Sequence, residues 1–160
     1  MRQFSICLIL LGCLLQKSFR QRDKPLVVPP LPSYHLDLKD SDRYAFFTYD
    51  AKRDQDNFKG DCKPATLSKK ELIRIEELIK IRVAIYNKGN RKINKPQKYY
   101  KQFVAVINNN GEKEVWVNCC CEAVADWKKK IQIVFDGGSC YFDLTINLDK
   151  NIVSDFRVMR

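Results

Sequence analysis

Two runs with strand alternation constrain this chain more than any other feature: residues 114–121, ending in three consecutive cysteines, and residues 140–148. Successive side chains of a strand point to opposite faces, so Val115, Val117, Cys119 and Cys121 share one face of the first run. Cys140, Phe142, Leu144, Ile146 and Leu148 share one face of the second. The expectation is a sheet-packed, thiol-lined core in which Cys119 or Cys121 lies near Cys140.

The clearest local signal upstream is a helix start. Ser68 with Glu71 three residues on is the capping-box spacing, and Leu67 and Leu72 stand where a hydrophobic staple would. Leu72, Ile75, Ile79, Val83 and Tyr86 recur with helical period. Ile73, Leu78, Ile81 and Ile85 broaden the stripe, which predicts a helix covered on more than one side. Asn87 and Gly89 end it, and Pro96 prevents an early restart.

Beyond the helix the chain reads as antiparallel sheet. Residues 99–107 are rich in strand formers, 108–111 (Asn-Asn-Asn-Gly) make a turn, and 112–121 return. Residues 123–130 read as a crossing segment or helical turn, 131–135 as a third strand, 140–148 as a fourth, and 152–158 as a last one. Residues 44–49 read as a short edge strand. The predicted class is α+β, one long helix packed on a curled four- or five-stranded antiparallel sheet.

The N-terminus points to export. A short cationic start precedes an apolar run over 4–15, which as a helix would rise only about 18 Å against a bilayer core of ~30 Å. That is the pattern of a signal rather than a span. Leu-Leu-Gly-Cys ending at Cys13 resembles a lipoprotein signal; a lipid on Cys13 and ordinary cleavage a few residues later both stand. The division expected is an export signal over 1–18, a proline-containing arm over 19–41, and a single α+β domain over 42–160. The destination is the periplasm, the outer membrane as a lipoprotein, or the extracellular space.

The formal charge of +10 is concentrated. No carboxylate falls between Glu77 and Glu112, where Lys88, Arg91, Lys92, Lys95, Lys98 and Lys101 lie. Such a cluster attracts an anionic surface or remains a solvated loop. Nucleic acid is not expected as a partner, since aromatic RNA-binding strands, Arg-Gly repeats and zinc-finger spacing are absent.

In an oxidising compartment neighbouring thiols pair. The disulfide candidates are Cys62, Cys119, Cys121 and Cys140: Cys140 with Cys119 or Cys121, and Cys62 with the remaining member. Closing about 20 residues would constrain the unfolded chain by roughly 3 kcal/mol. A four-thiolate cage lacks the compact Cys-x-x-Cys spacing, and a redox dithiol would sit at a helix N-terminus rather than a strand end. Trp116, on the face away from the helix with Cys120 and with Tyr99 or Phe103 nearby, would line a groove or lie beneath a cover supplied by Phe46 and Phe47. His35, the single histidine, lies in the arm. No serine elbow, phosphate loop or calcium loop occurs, and no catalytic residue, cofactor or metal is expected.

The helix-then-strands order resembles cystatin-like and NTF2-like α+β rolls. Tyr99, Tyr100, Val104, Asn108, residues 111–119, residues 127–129, Asp136-Gly137-Gly138, Cys140-Tyr141-Phe142 and Ile146-Asn147-Leu148 are similar to a group of small uncharacterised exported proteins of Bacteroidota. That resemblance implies an envelope location and no catalytic residues. The functional expectation is a non-enzymatic envelope or periplasmic protein binding a protein or an anionic surface, with a thiol-disulfide or other thiol-dependent envelope factor as the alternative.

Overall fold

The computed structural model describes residues 25–27 and 41–159. The expected export signal, Cys13, His35 and most of the expected proline-containing arm lie outside the described residues. Seven strands make one sheet: β1 (Leu26–Val27), β2 (Tyr44–Phe47), β3 (Lys63–Pro64), β4 (Tyr100–Ile107), β5 (Lys113–Cys120), β6 (Tyr141–Asn147) and β7 (Ile152–Val158). They lie in the order β1-β7-β6-β5-β4-β2, with β3 also on β4. Every pairing is antiparallel except β2 with β4. A short α1 (Ala51–Asp54) and the long α2 (Lys69–Tyr86) complete the α+β fold.

The count of seven corrects the expected four or five. Two of the additional strands, β1 and β3, hold two residues each, too few for alternation to show. A second correction concerns residues 131–135, which form no strand. β5 pairs directly with β6 from Glu114↔Asn147 to Cys120↔Tyr141, so both neighbouring ladders are filled and the 131–135 run has no backbone to join.

Helix α2 begins as its sequence dictates. Ser68 Oγ accepts from Glu71 N, and Glu71 Oε2 accepts from Ser68 N at 2.7 Å. Ile75, Leu78, Ile79 and Val83 are fully buried against Phe103, Val115, Val117, Cys119, Phe142, Leu144 and Ile146, which share the inward parity of β4, β5 and β6. Each such aliphatic side chain contributes about 1.5–3 kcal/mol of transfer free energy. Leu72, Ile81 and Tyr86 pack at the margin while Ile85 stays exposed, so one face of the helix is covered rather than several.

The other sheet face carries Gln102, Val104, Val106, Trp116, Asn118, Cys120, Asp143 and Thr145. A smaller apolar cluster of Phe58, Val104, Val106 and Trp116 sits there, joined by Phe47, Tyr49, Cys62 and Ile131. A register shift between Asp143 and Thr145, opposite Asp155 at φ 50°, puts a bulge into β7. The extra residue lets Val153 and Phe156 both face the helix and turns Arg157 toward Asp143.

Candidate functional site

After Cys120 the chain leaves the sheet and returns at Tyr141, and Cys121 and Cys140 form a disulfide with Cα atoms 5.0 Å apart. Cys121 N also donates to Cys140 O at 2.8 Å. Between them the chain crosses the second sheet face as a strap. Three hydrogen bonds of the Gln102 carboxamide and one from Asn118 reach the strap, and a further one joins Asn118 to Gln102 within the sheet. Gln102 Nε2 donates to Trp127 O (2.5 Å) and Lys130 O (2.8 Å), while Gln102 Oε1 accepts from Gln132 N (2.8 Å) and Asn118 Nδ2 (3.0 Å). Asn118 Nδ2 also donates to Gln132 O at 2.8 Å. These bonds replace the ladder that the strap lacks.

A pocket of about 260 Å³ lies between strap and sheet, lined by Trp116, Asn118, Ile131, Gln132, Tyr141 and Asp143 among others. Trp116 Nε1 (3.1 Å) and Arg157 Nε (2.7 Å) both donate to Asp143 Oδ1, and Arg157 donates to Asn57 Oδ1 at 3.0 Å. Of the two readings of Trp116, a cover rather than an open groove is what the structure has: the residue is buried, 7% exposed, even where it lines the pocket. Phe58 supplies that cover with Phe47, while Phe46 stacks on Phe103 at 5.3 Å on the helix side. Tyr99 and Phe103, expected near Trp116, face the helix instead, because Phe103 pairs with Val117 and not Trp116.

The strap also gathers charge. Tyr100 packs edge-on against Trp127 with ring centroids 5.1 Å apart, Arg43 lies over Tyr100 at 5.1 Å, and Arg43 donates to Lys98 O at 2.6 Å. This chain of contacts runs from the strap, which bears Lys128, Lys129 and Lys130, to Lys98 at the end of the basic loop before β4. Lys88, Arg91, Lys92, Lys95 and Lys98 are exposed, as are the three strap lysines. Lys101 is not available with them: it is fully buried, with Nζ 3.1 Å from Glu76 Oε1. Beyond the lysines the strap leaves Ile133 and Phe135 exposed at 71% and 74%, at the rim of the same pocket, with Val124 at 54%.

The thiols are dispersed. Cys119 faces the helix, Cys120 the opposite side, Cys121 lies exposed past the strand end, and Cys62 is half-buried with the Trp116 cluster. The proposed second bridge from Cys62 to Cys119 is therefore not formed, since the sheet separates them; the four thiols cannot make one cage. The surviving bridge sits at the sheet's end and not in its core, because alternation stops where the ladder stops. Among the described residues no group of three or more His, Cys, Asp or Glu is placed to hold a metal ion.

Burial pushes the Cys120 thiol up to about 12 and the Cys119 thiol well above its ordinary value; burial also raises Cys62. A raised pKa leaves little thiolate at pH 8. Brief alkylation of the native protein at pH 8 is expected to leave Cys119 and Cys120 unmodified, with labelling of both appearing on addition of denaturant. Mass mapping of each cysteine checks this; rapid native labelling of Cys120 contradicts it.

No family model, curated protein or solved structure matches the chain. Among the described residues no helix is long and apolar enough to cross a membrane.

Proposed function

We propose that this domain is a non-enzymatic binding module of the cell envelope that docks on an anionic lipid surface through its strap and the adjoining basic loop. The observation that carries this reading is the Tyr100–Trp127 contact, which with Arg43 over Tyr100 and on Lys98 O ties the strap bearing Lys128–Lys130 to the Lys98 end of the basic loop. Each basic residue near an anionic bilayer contributes about 1 kcal/mol of attraction, lost as salt screens it. Ile133 and Phe135 on the same strap favour a bilayer over a purely ionic partner, since exposed apolar side chains beside lysines gain by entering the interfacial layer. The apolar N-terminal run over 4–15 supports the envelope location. One long helix followed by meandering strands supports a cystatin-like or NTF2-like roll as the finer description of the fold.

A thiol-exchange factor is the second reading, favoured by one observation: Cys121 is exposed, so its bridge is reachable. Against it, both neighbouring free thiols, Cys119 and Cys120, are buried and held protonated by that burial.

Sedimentation with phospholipid vesicles tests the proposal. Binding is expected to rise with the fraction of anionic lipid and to fall with added salt. Lys128→Ser/Lys129→Ser/Lys130→Ser and Phe135→Ser are each expected to weaken it. Equal binding to neutral and anionic vesicles, or none to anionic vesicles at low salt, would overturn it.

A further inference from the structure

We propose that the pocket beneath the strap is a binding site for a small uncharged amide, recognised by the carboxamide of Gln132. Gln132 lines the pocket and is 9% exposed, yet neither its Nε2 nor its Oε1 has a hydrogen-bond partner. Buried polar groups are nearly always satisfied, and an unmet one costs about 1–3 kcal/mol. The residue has not drifted there: its backbone is clamped on both sides, N–H to Gln102 Oε1 and C=O to Asn118 Nδ2, each at 2.8 Å. The sheet therefore holds an unsatisfied carboxamide at a fixed place in a cavity wall.

The surrounding groups define what would satisfy it. Asp143 is engaged by Trp116 and Arg157, Arg157 reaches Asn57, and Arg53 forks onto Asp54. The two arginines thus face paired carboxylates, so an anion entering the pocket meets no uncompensated positive charge, and the exposed Asp56 on the same lining repels it. The unspent capacity of the Gln132 carboxamide is one acceptor and two donors. Its complement is a group with an N–H and a C=O side by side, as in a primary carboxamide or a peptide unit. Ile131, Val134, Tyr141 and Met159 supply apolar wall for a short aliphatic substituent. At about 260 Å³ the pocket falls below the ~300 Å³ lower end for drug-sized ligands, so it fits a fragment rather than a cofactor.

The test is titration of the ¹⁵N-labelled full chain, disulfide intact, following the Trp116 indole N–H and the Gln132 side-chain NH₂ resonances. Isobutyramide is the probe in one arm and N-acetylalanine methylamide in the other; saturation in the first alone assigns a free carboxamide, in the second alone a peptide group. Isobutyrate, matched in size but anionic, is expected to bind at least about tenfold more weakly than isobutyramide. Gln132→Leu is expected to weaken the productive probe by at least about tenfold while leaving the ligand-free protein no less stable, because it removes an unmet polar group. Gln132→Met serves the same purpose should the leucine variant not fold. Absence of saturable shifts with both amides, equal binding of isobutyrate, or unchanged binding in the Gln132 variants would overturn the assignment.

Discussion

Replacing Lys101 with methionine is expected to destabilise the domain by about 3–5 kcal/mol, the cost of leaving a buried partner charge uncompensated. Lys101 Nζ lies 3.1 Å from Glu76 Oε1 and 3.3 Å from Tyr99 O, between β4 and α2, with no side-chain exposure. Tyr44 donates its hydroxyl to the same Glu76 oxygen at 2.8 Å, and its ring lies 5.6 Å from the ammonium. In Lys101→Met the carboxylate keeps the tyrosine and loses its counter-charge. Adding Glu76→Leu removes the second charge as well, so the double variant is expected to recover most of the loss. Urea unfolding of the two single variants and the double variant measures this as a coupling energy. A single-variant loss below about 1 kcal/mol would mean the pair is solvated rather than buried.

That position also shows where sequence reading stops. Residues 99–107 announce a strand, and Lys101 shares parity with Phe103 and Ala105, which face the helix. Counting charge along the chain nevertheless groups Lys101 with the solvated lysines before it, since linear density ignores the face a side chain takes. Parity was the available signal, and it also marks Gln102 and Asn118 as polar residues on the face of Val104 and Trp116. What parity lacks is the identity of the covering element.

The helix start and the 108–111 turn were legible because their partners are a few residues apart: Ser68 with Glu71, and Gly111 N with Asn108 O at 2.9 Å. The strap was not. Its Ile-Gln-Ile-Val-Phe run has strand composition, and only the full pairing of β5 with β6 decides that it must lie across the sheet instead. The same cause explains the cysteines. Alternation holds through Cys119 and Cys120, which take opposite faces, and fails at Cys121, where the chain departs. The Cys121–Cys140 pairing was within reach of spacing, its place at the rim was not.

Gln102→Leu is expected to cost at least about 3 kcal/mol and to release the strap while the disulfide still closes its base. Gln102 is fully buried in the middle of a ladder, and its one carboxamide serves Trp127 O, Lys130 O, Gln132 N and Asn118 Nδ2. Leucine fills similar space and satisfies none of them. Each group that stays buried without a partner costs about 1–3 kcal/mol, so the strap gains by lifting away and hydrating them. Native-state hydrogen exchange distinguishes this from general loosening. The Gln132 amide is expected to lose protection selectively, whereas amides of the β5–β6 ladder fall only with global stability; unchanged Gln132 protection in the variant would contradict the assigned role. Because the strap bears the exposed Lys128–Lys130, Ile133 and Phe135 and the buried Gln132, vesicle binding and amide binding are both expected to weaken. Gln102 is remote from solvent, so neither loss would come through direct contact: each would follow from the strap no longer being held against the sheet.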